Sequence, residues 1–148
     1  MGNRCYRLLL FTAFCVASTQ LFGAEIKSGK QPVPTHADAA VILAKYSGLF
    51  DRYVSEEATL TDCVAFLNKA GIYFGLMEVV NGKGFTLHDC ARVMGQVELV
   101  FSGEAEYIAG KVKLPKDVDS WEDFCTMNGV KFAEGYQAIV RTLVMADE

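Results

Sequence analysis

His88-Asp89-Cys90 is the one place in this 148-residue chain where three potential catalytic or metal-binding groups stand side by side. Adjacent residues on a helix point about 100° apart, so the three cannot converge on one metal or form a nucleophile–base pair without help from elsewhere. Asp89 has a simpler use as a helix cap, and Cys90 falls in an apolar stripe. His36, in the first turn of another predicted helix, would have to join His88 and a carboxylate to make a metal or catalytic site. Zinc ligands come in close-spaced pairs, which these two histidines are not, and the spacing predicts a solvated His36. No catalytic, cofactor or metal residue is therefore assigned. His88, Tyr107 and Trp121 remain as functional candidates, the last two because Tyr and Trp suit binding surfaces, although a Trp in the first turn of a capped helix more commonly plugs a core edge.

The other reactive side chains are thiols. Cys5 and Cys15 lie in an amino-terminal stretch where Arg4 and Arg7 precede an apolar run from Leu8 to Phe22, and the first acidic residue is Glu25. That charge order is that of a secretory signal peptide over residues 1–23. Its apolar run is shorter than the ~20 residues a membrane-crossing helix needs, so no stable membrane insertion is expected after cleavage. Phe14 before Cys15 is not the small residue that lipidation requires. Cleavage leaves Cys63, Cys90 and Cys125, an odd set in an oxidising compartment, from which a disulfide can draw two. A bridge between Cys63 and Cys90, at equivalent positions of two helices, would contribute on the order of 3 kcal/mol.

Cleavage also removes Arg4 and Arg7 but no acid, taking the formal net charge from −4 to −6. An acidic surface of this kind argues against nucleic acid or anionic lipid as partner. The chain has no Gly-rich phosphate loop, no Gly-x-Ser-x-Gly elbow, no C-x-x-C pair and no basic run.

The elements that must position these residues are announced by a repeated start. Thr35-x-x-Asp38, Thr59-x-x-Asp62, Thr86-x-x-Asp89 and Ser120-x-x-Asp123 each set a hydroxyl three positions before a carboxylate, ahead of an apolar-periodic run. Such a pair satisfies the orphan amides of a first turn and complements the helix dipole. The periodicity predicts a first helix from Thr35 to about Val54, a short second one ending at Gly71, and a third from Thr86 to Phe101. A fourth begins at Trp121 and a fifth runs from Phe132 toward the polar tail. Residues 72–80 are apolar nearly throughout; helix is favoured over strand because Leu76, Met77 and Val80 keep helical spacing. Residues 105–115 read as a small hairpin or surface loop around Ala109-Gly110. The expected fold is mainly α, a compact bundle of four or five helices, with residues 24–34 a flexible leader and 35–146 a single domain.

Thr59-Leu60-Thr61-Asp62-Cys63 and Thr86-Leu87-His88-Asp89-Cys90 agree at four of five positions, which fits either a repeated helix unit or two good helix starts. Gly71-Ile72, Gly84-Phe85-Thr86 and Ala91 give the stretch from Val64 to Ala91 a pattern that resembles one S-layer homology module, over under a quarter of the mature chain. The resemblance implies, as an alternative, a cell-wall polymer attachment module. The chain lacks that family's opening Trp-Ala and has Thr86-Leu87-His88-Asp89 where the family has Thr-Arg-Ala-Glu, so the polymer-binding residues are not carried over.

A well-specified core without convergent polar motifs leads to a functional expectation of an exported, non-catalytic binding or assembly module of the bacterial envelope, periplasmic or at the cell surface. It would contact an envelope protein or wall polymer through a helical groove or the 103–119 loop. A small periplasmic enzyme or metal protein using His88 is the competing class.

Overall fold

The structure, a computed structural model, describes residues 32–146 except 49, 51 and 52; the predicted signal peptide and the leader up to residue 31 lie outside the described residues. The described chain is mainly helical: α1 (His36–Lys45), α2 (Leu60–Lys69), α3 (Leu76–Val80), α4 (Leu87–Ser102), β1 (Tyr107–Ile108), β2 (Lys111–Val112), α5 (Trp121–Met127) and α6 (Phe132–Ala146). No described helix is long and apolar enough to cross a membrane.

All four predicted starts open helices, those of α1, α2, α4 and α5. At Thr35, Thr59 and Thr86 the hydroxyl accepts from the amide of the Asp three residues on, and that Asp accepts from the Thr backbone in return. Ser120 accepts from the Asp123 amide in the same way, but Asp123 takes the serine hydroxyl.

Two element predictions need correction. The first helix ends at Lys45, far short of Val54, because Ser47-Gly48 follows and Gly48 takes the left-handed backbone (φ 70°) that ends helices. Tyr46 and Tyr53, which extend the apparent stripe, are exposed. Residues 72–80 divide in two. Ile72 to Gly75 is neither helix nor strand, with Ile72 and Phe74 buried, and only 76–80 are helical. The residues whose spacing suggests that helix, Leu76, Met77 and Val80, point outward, and Val79 points in. With this short α3, six helices stand among the described residues, in keeping with the expected helical bundle.

The hairpin forms as expected, with Tyr107 opposite Val112, Ile108 opposite Lys111, and both Ala109 and Gly110 at positive φ. Paired left-handed residues give a turn whose twist matches that of the strands.

Pro34, assigned to the leader, belongs to the domain. It is fully buried and its carbonyl accepts from the Phe85 amide at 2.6 Å, while Thr35 and Gly84 form an antiparallel bridge.

α1 packs on α2, α3 and α6, and α4 packs on α5, α6 and β2. Leu43, Leu67, Phe74, Phe85, Cys90 and Val93 lie in the main core; Leu99, Val112 and Phe124, with Trp121 and Leu114 against them, form a smaller one. α4 contributes to both. The similar starts of α2 and α4 bury Cys63 and Cys90 at matching positions, yet the two helices differ in length and have different neighbours.

Candidate functional site

The polar groups of the domain converge beside α4. Asp89, Arg92 and Gln96 occupy positions i, i+3 and i+7, a polar stripe on one face of an otherwise core-facing helix. Gln96 is buried and spends its amide on the framework: its oxygen accepts from the Tyr73 amide at 2.9 Å and its nitrogen donates to the Val112 carbonyl at 3.2 Å. One side chain thus ties the 72–75 segment to the hairpin. Asn68 fixes the same segment, donating to the Phe74 carbonyl at 3.1 Å and accepting from its amide at 2.7 Å. At the other end, the Val112 amide donates to the Gly71 carbonyl at 3.1 Å. Gly71 is required there: its φ is +90°, and a Cβ would stand 2.4 Å from the Tyr107 ring.

Between these elements opens a cleft of about 380 Å³, lined by Tyr73, Glu78, Asp89, Arg92, Gln96, the 111–114 segment and Trp121. Arg92 reaches across its floor and donates from Nη1 to the Tyr73 carbonyl at 2.6 Å and to Gln96 Oε1 at 3.3 Å. Burial lowers the guanidinium pKa, opposed by the charges of Asp89 and Glu78. Lys111 Nζ stands 3.5 Å from the centre of the Tyr73 ring, a cation–π contact on the cleft wall. Trp121 lies against α4 at Gly95, where a Cβ would come within 2.5 Å of the indole; only glycine lets the ring sit so close.

The two acids of the cleft are engaged inward. Glu78 accepts from Lys83 Nζ at 2.7 Å with Oε1, a bond that holds its carboxyl below the usual range although burial acts the other way. Asp89 caps α4 with Oδ2; burial raises its pKa, but the hydrogen bonds from Thr86 and nearby positive charge bring it below the ordinary value. The remaining oxygens, Glu78 Oε2 and Asp89 Oδ1, lie 3.8 and 3.5 Å from His36 Nε2.

His36 is fully buried, which corrects the expectation that it is solvated. Its ring stands edge-on to Phe74 and Phe85, and its Nδ1 is 3.0 Å from the Lys83 carbonyl; a carbonyl only accepts, so Nδ1 carries the proton. Nε2 has no hydrogen bond and no solvent contact. Among the described residues no group of three His, Cys, Asp or Glu is placed to hold a metal ion.

The candidates that the sequence suggests therefore separate. Trp121 lines the cleft. His88 does not: it lies on the surface and pairs with Glu122. Tyr107 packs its ring over Gly71 and donates weakly to the Ala70 carbonyl. Cys63, Cys90 and Cys125 are all free and buried. Cys90 donates to the Phe132 carbonyl and Cys125 to the Ala91 carbonyl, and burial pushes their thiols up to about 12 and about 11. Such thiols are poor nucleophiles. The residues behind the S-layer resemblance have framework duties, with Ile72 and Phe85 fully buried and Gly71 forming the αL turn.

Tyr73, Arg92, Gln96 and Lys111 do not stand out in the sequence. The signal that marks three of the cleft's residues is the Asp89, Arg92, Gln96 stripe, polar residues at helical spacing on a largely apolar helix. No known protein family, curated protein or solved structure matches the chain, so its functional reading rests on this geometry.

Proposed function

We propose that the chain is an exported, non-catalytic binding module of the bacterial cell envelope, and that it receives another envelope component in the cleft beside α4. The observation that carries this reading is convergence. Side chains from five separate stretches of sequence meet around one open cleft, held by the buried Gln96 and Asn68 bonds. A concave site with a few oriented polar groups and an aromatic wall is the usual form of a ligand site. Both regions that the sequence marks as contact surfaces, a helical groove and the 103–119 loop, supply parts of it.

The chemistry at hand favours holding over reacting. The thiols are buried and of raised pKa, and the surface imidazole of His88 is paired with Glu122 away from the cleft lining. Export rests on the Arg4, Arg7 and Leu8–Phe22 pattern.

The test is a pull-down of the tagged chain, expressed with its own leader, from envelope fractions, beside the variant Lys113→Trp, which crowds the mouth of the cleft. Envelope components retained by the native chain and lost from the folded variant support the reading. Equal retention by both, or none above the tag control, overturns it.

A further inference from the structure

On the assumption that the cleft is the binding site, its charges name the ligand. Each acid of the cleft has one oxygen engaged by the protein itself, Glu78 Oε1 by Lys83 and Asp89 Oδ2 by the α4 cap. The cations on the same cleft outnumber the acids. Arg92, Lys111 and Lys113 line it, and none forms an ion pair within 4.0 Å among the described residues. For the lysines this is ordinary. For Arg92 it is not, because a largely buried cation normally has a carboxylate partner. Its Nη1 is used twice, whereas Nε and Nη2 make no hydrogen bond among the described residues. His36 Nε2 is the one buried, unpartnered side-chain polar atom among them, so those Arg92 donors are not sealed from solvent.

A protein of formal net charge −4 thus gathers three cations against two acids around one cleft, the deepest cation being a planar fork with donors free. A planar fork matches a carboxylate, which it binds through two parallel N–H bonds. Glu78 and Asp89, which line the same cleft, disfavour a doubly charged phosphate and tolerate a single negative charge. Val112, Leu114 and Trp121 give the rest of the ligand an apolar and aromatic wall.

We infer that the cleft is a carboxylate receptor for a peptide, with Arg92 as its central ligand-binding residue and Lys111 and Lys113 flanking it. The carboxylate is that of an acidic side chain or of a chain terminus.

The experiment is an NMR titration of the exported chain, following the Arg92 Nε–H resonance, with defined probes. These are acetyl-Gly-Glu-amide, its Gln counterpart, acetyl-Gly-Gly with a free terminus, the same dipeptide amidated, and inorganic phosphate. One or both carboxylate peptides should shift the resonance saturably and their uncharged twins should not; which one binds identifies side chain or terminus. Arg92→Gln should weaken the binding by tenfold or more, about 1.4 kcal/mol or more. Because Arg92 also bonds the Tyr73 carbonyl, the double variant Lys111→Gln/Lys113→Gln provides a second reading, expected to weaken binding severalfold with the fold intact. Equal binding of charged and uncharged peptides, tighter binding of phosphate, no shift with any carboxylate peptide, or unchanged affinity in both variants overturns the assignment. Failure here, with Lys113→Trp still abolishing envelope capture, would refute the carboxylate and leave the cleft as the binding site; capture undiminished by Lys113→Trp would refute the cleft itself.

Discussion

Asp89 belongs to two neighbourhoods that differ in kind. On one side it faces His36, sealed beneath Phe74 and Phe85, with the Lys83 carbonyl on the far ring nitrogen. On the other it borders the cleft, where Arg92, Lys111 and Trp121 meet solvent. The first holds an ionisable group that no ligand can reach, and its energy is packing. The second holds three cations, none of which forms an ion pair within 4.0 Å among the described residues. A titratable residue on a motif is thus a guide to function only once its access is known: the histidine is closed off, and the guanidinium, which carries no motif, is open.

Substitutions sharpen this contrast, beginning with the closed side. Phe85→Ala should cost about 3–5 kcal/mol in urea unfolding, since Phe85 is fully buried against His36 and Phe74. A loss under about 1 kcal/mol would show that the closed neighbourhood is not packed as described. At the boundary, Gly95→Ala should cost about 1–3 kcal/mol by forcing the indole away. Trp121 is the only tryptophan, so its fluorescence reports the displacement directly; an unchanged spectrum would contradict the contact.

Thr86→Ala should cost about 1 kcal/mol by removing the cap that Asp89 shares. The same bonds tie stability to pH. Asp89 and Glu78 have folded pKa values below their ordinary values of 3.8 and 4.5. Their contribution is present in full above those values and is lost as the pH falls through the folded ones. Asp89→Asn should therefore flatten the acid limb of a stability–pH curve, and an unaltered limb would count against the cap. On the open side, Lys113→Gln should change stability by no more than about 0.5 kcal/mol, measurable by the same unfolding curves, while weakening ligand binding.

The thiols test the export reading together with the core. With pKa values of about 12 at Cys90 and about 11 at Cys125, and Cys63 raised mainly by desolvation, none should react with an aromatic disulfide reagent at pH 8 in the native state. After unfolding, three thiols should titrate if the leader has been removed; five would mean that Cys5 and Cys15 are retained, and one would mean that a bridge forms in the exported protein.

Much of the fold is legible in the sequence because its determinants are local. The hydroxyl–carboxylate pairs, the Ala109-Gly110 turn and the α4 stripe each act within a few residues, and all appear where the pattern puts them. The first helix reads too long because Tyr46 and Tyr53 fit the spacing, and spacing alone does not register Gly48. The cleft is not legible. Gln96 joins residues 73 and 112 through two bonds, and no local rule pairs positions that far apart. His36 misleads for the same reason: its burial depends on Phe74 and Phe85, which arrive from other elements. Trp121 stands out as an aromatic, but its place beside Arg92 is a product of α5 crossing α4 at Gly95.

Site-specific photocross-linking in the native envelope decides whether the cleft beside α4 is where this chain meets its partner. A photoreactive residue at position 113, at the mouth of the cleft, should give a discrete adduct that excess carboxylate peptide suppresses. The same residue at position 61, exposed on α2 and outside the cleft lining, should give none. Equal adducts from both positions, or an adduct from position 61 alone, would contradict the account.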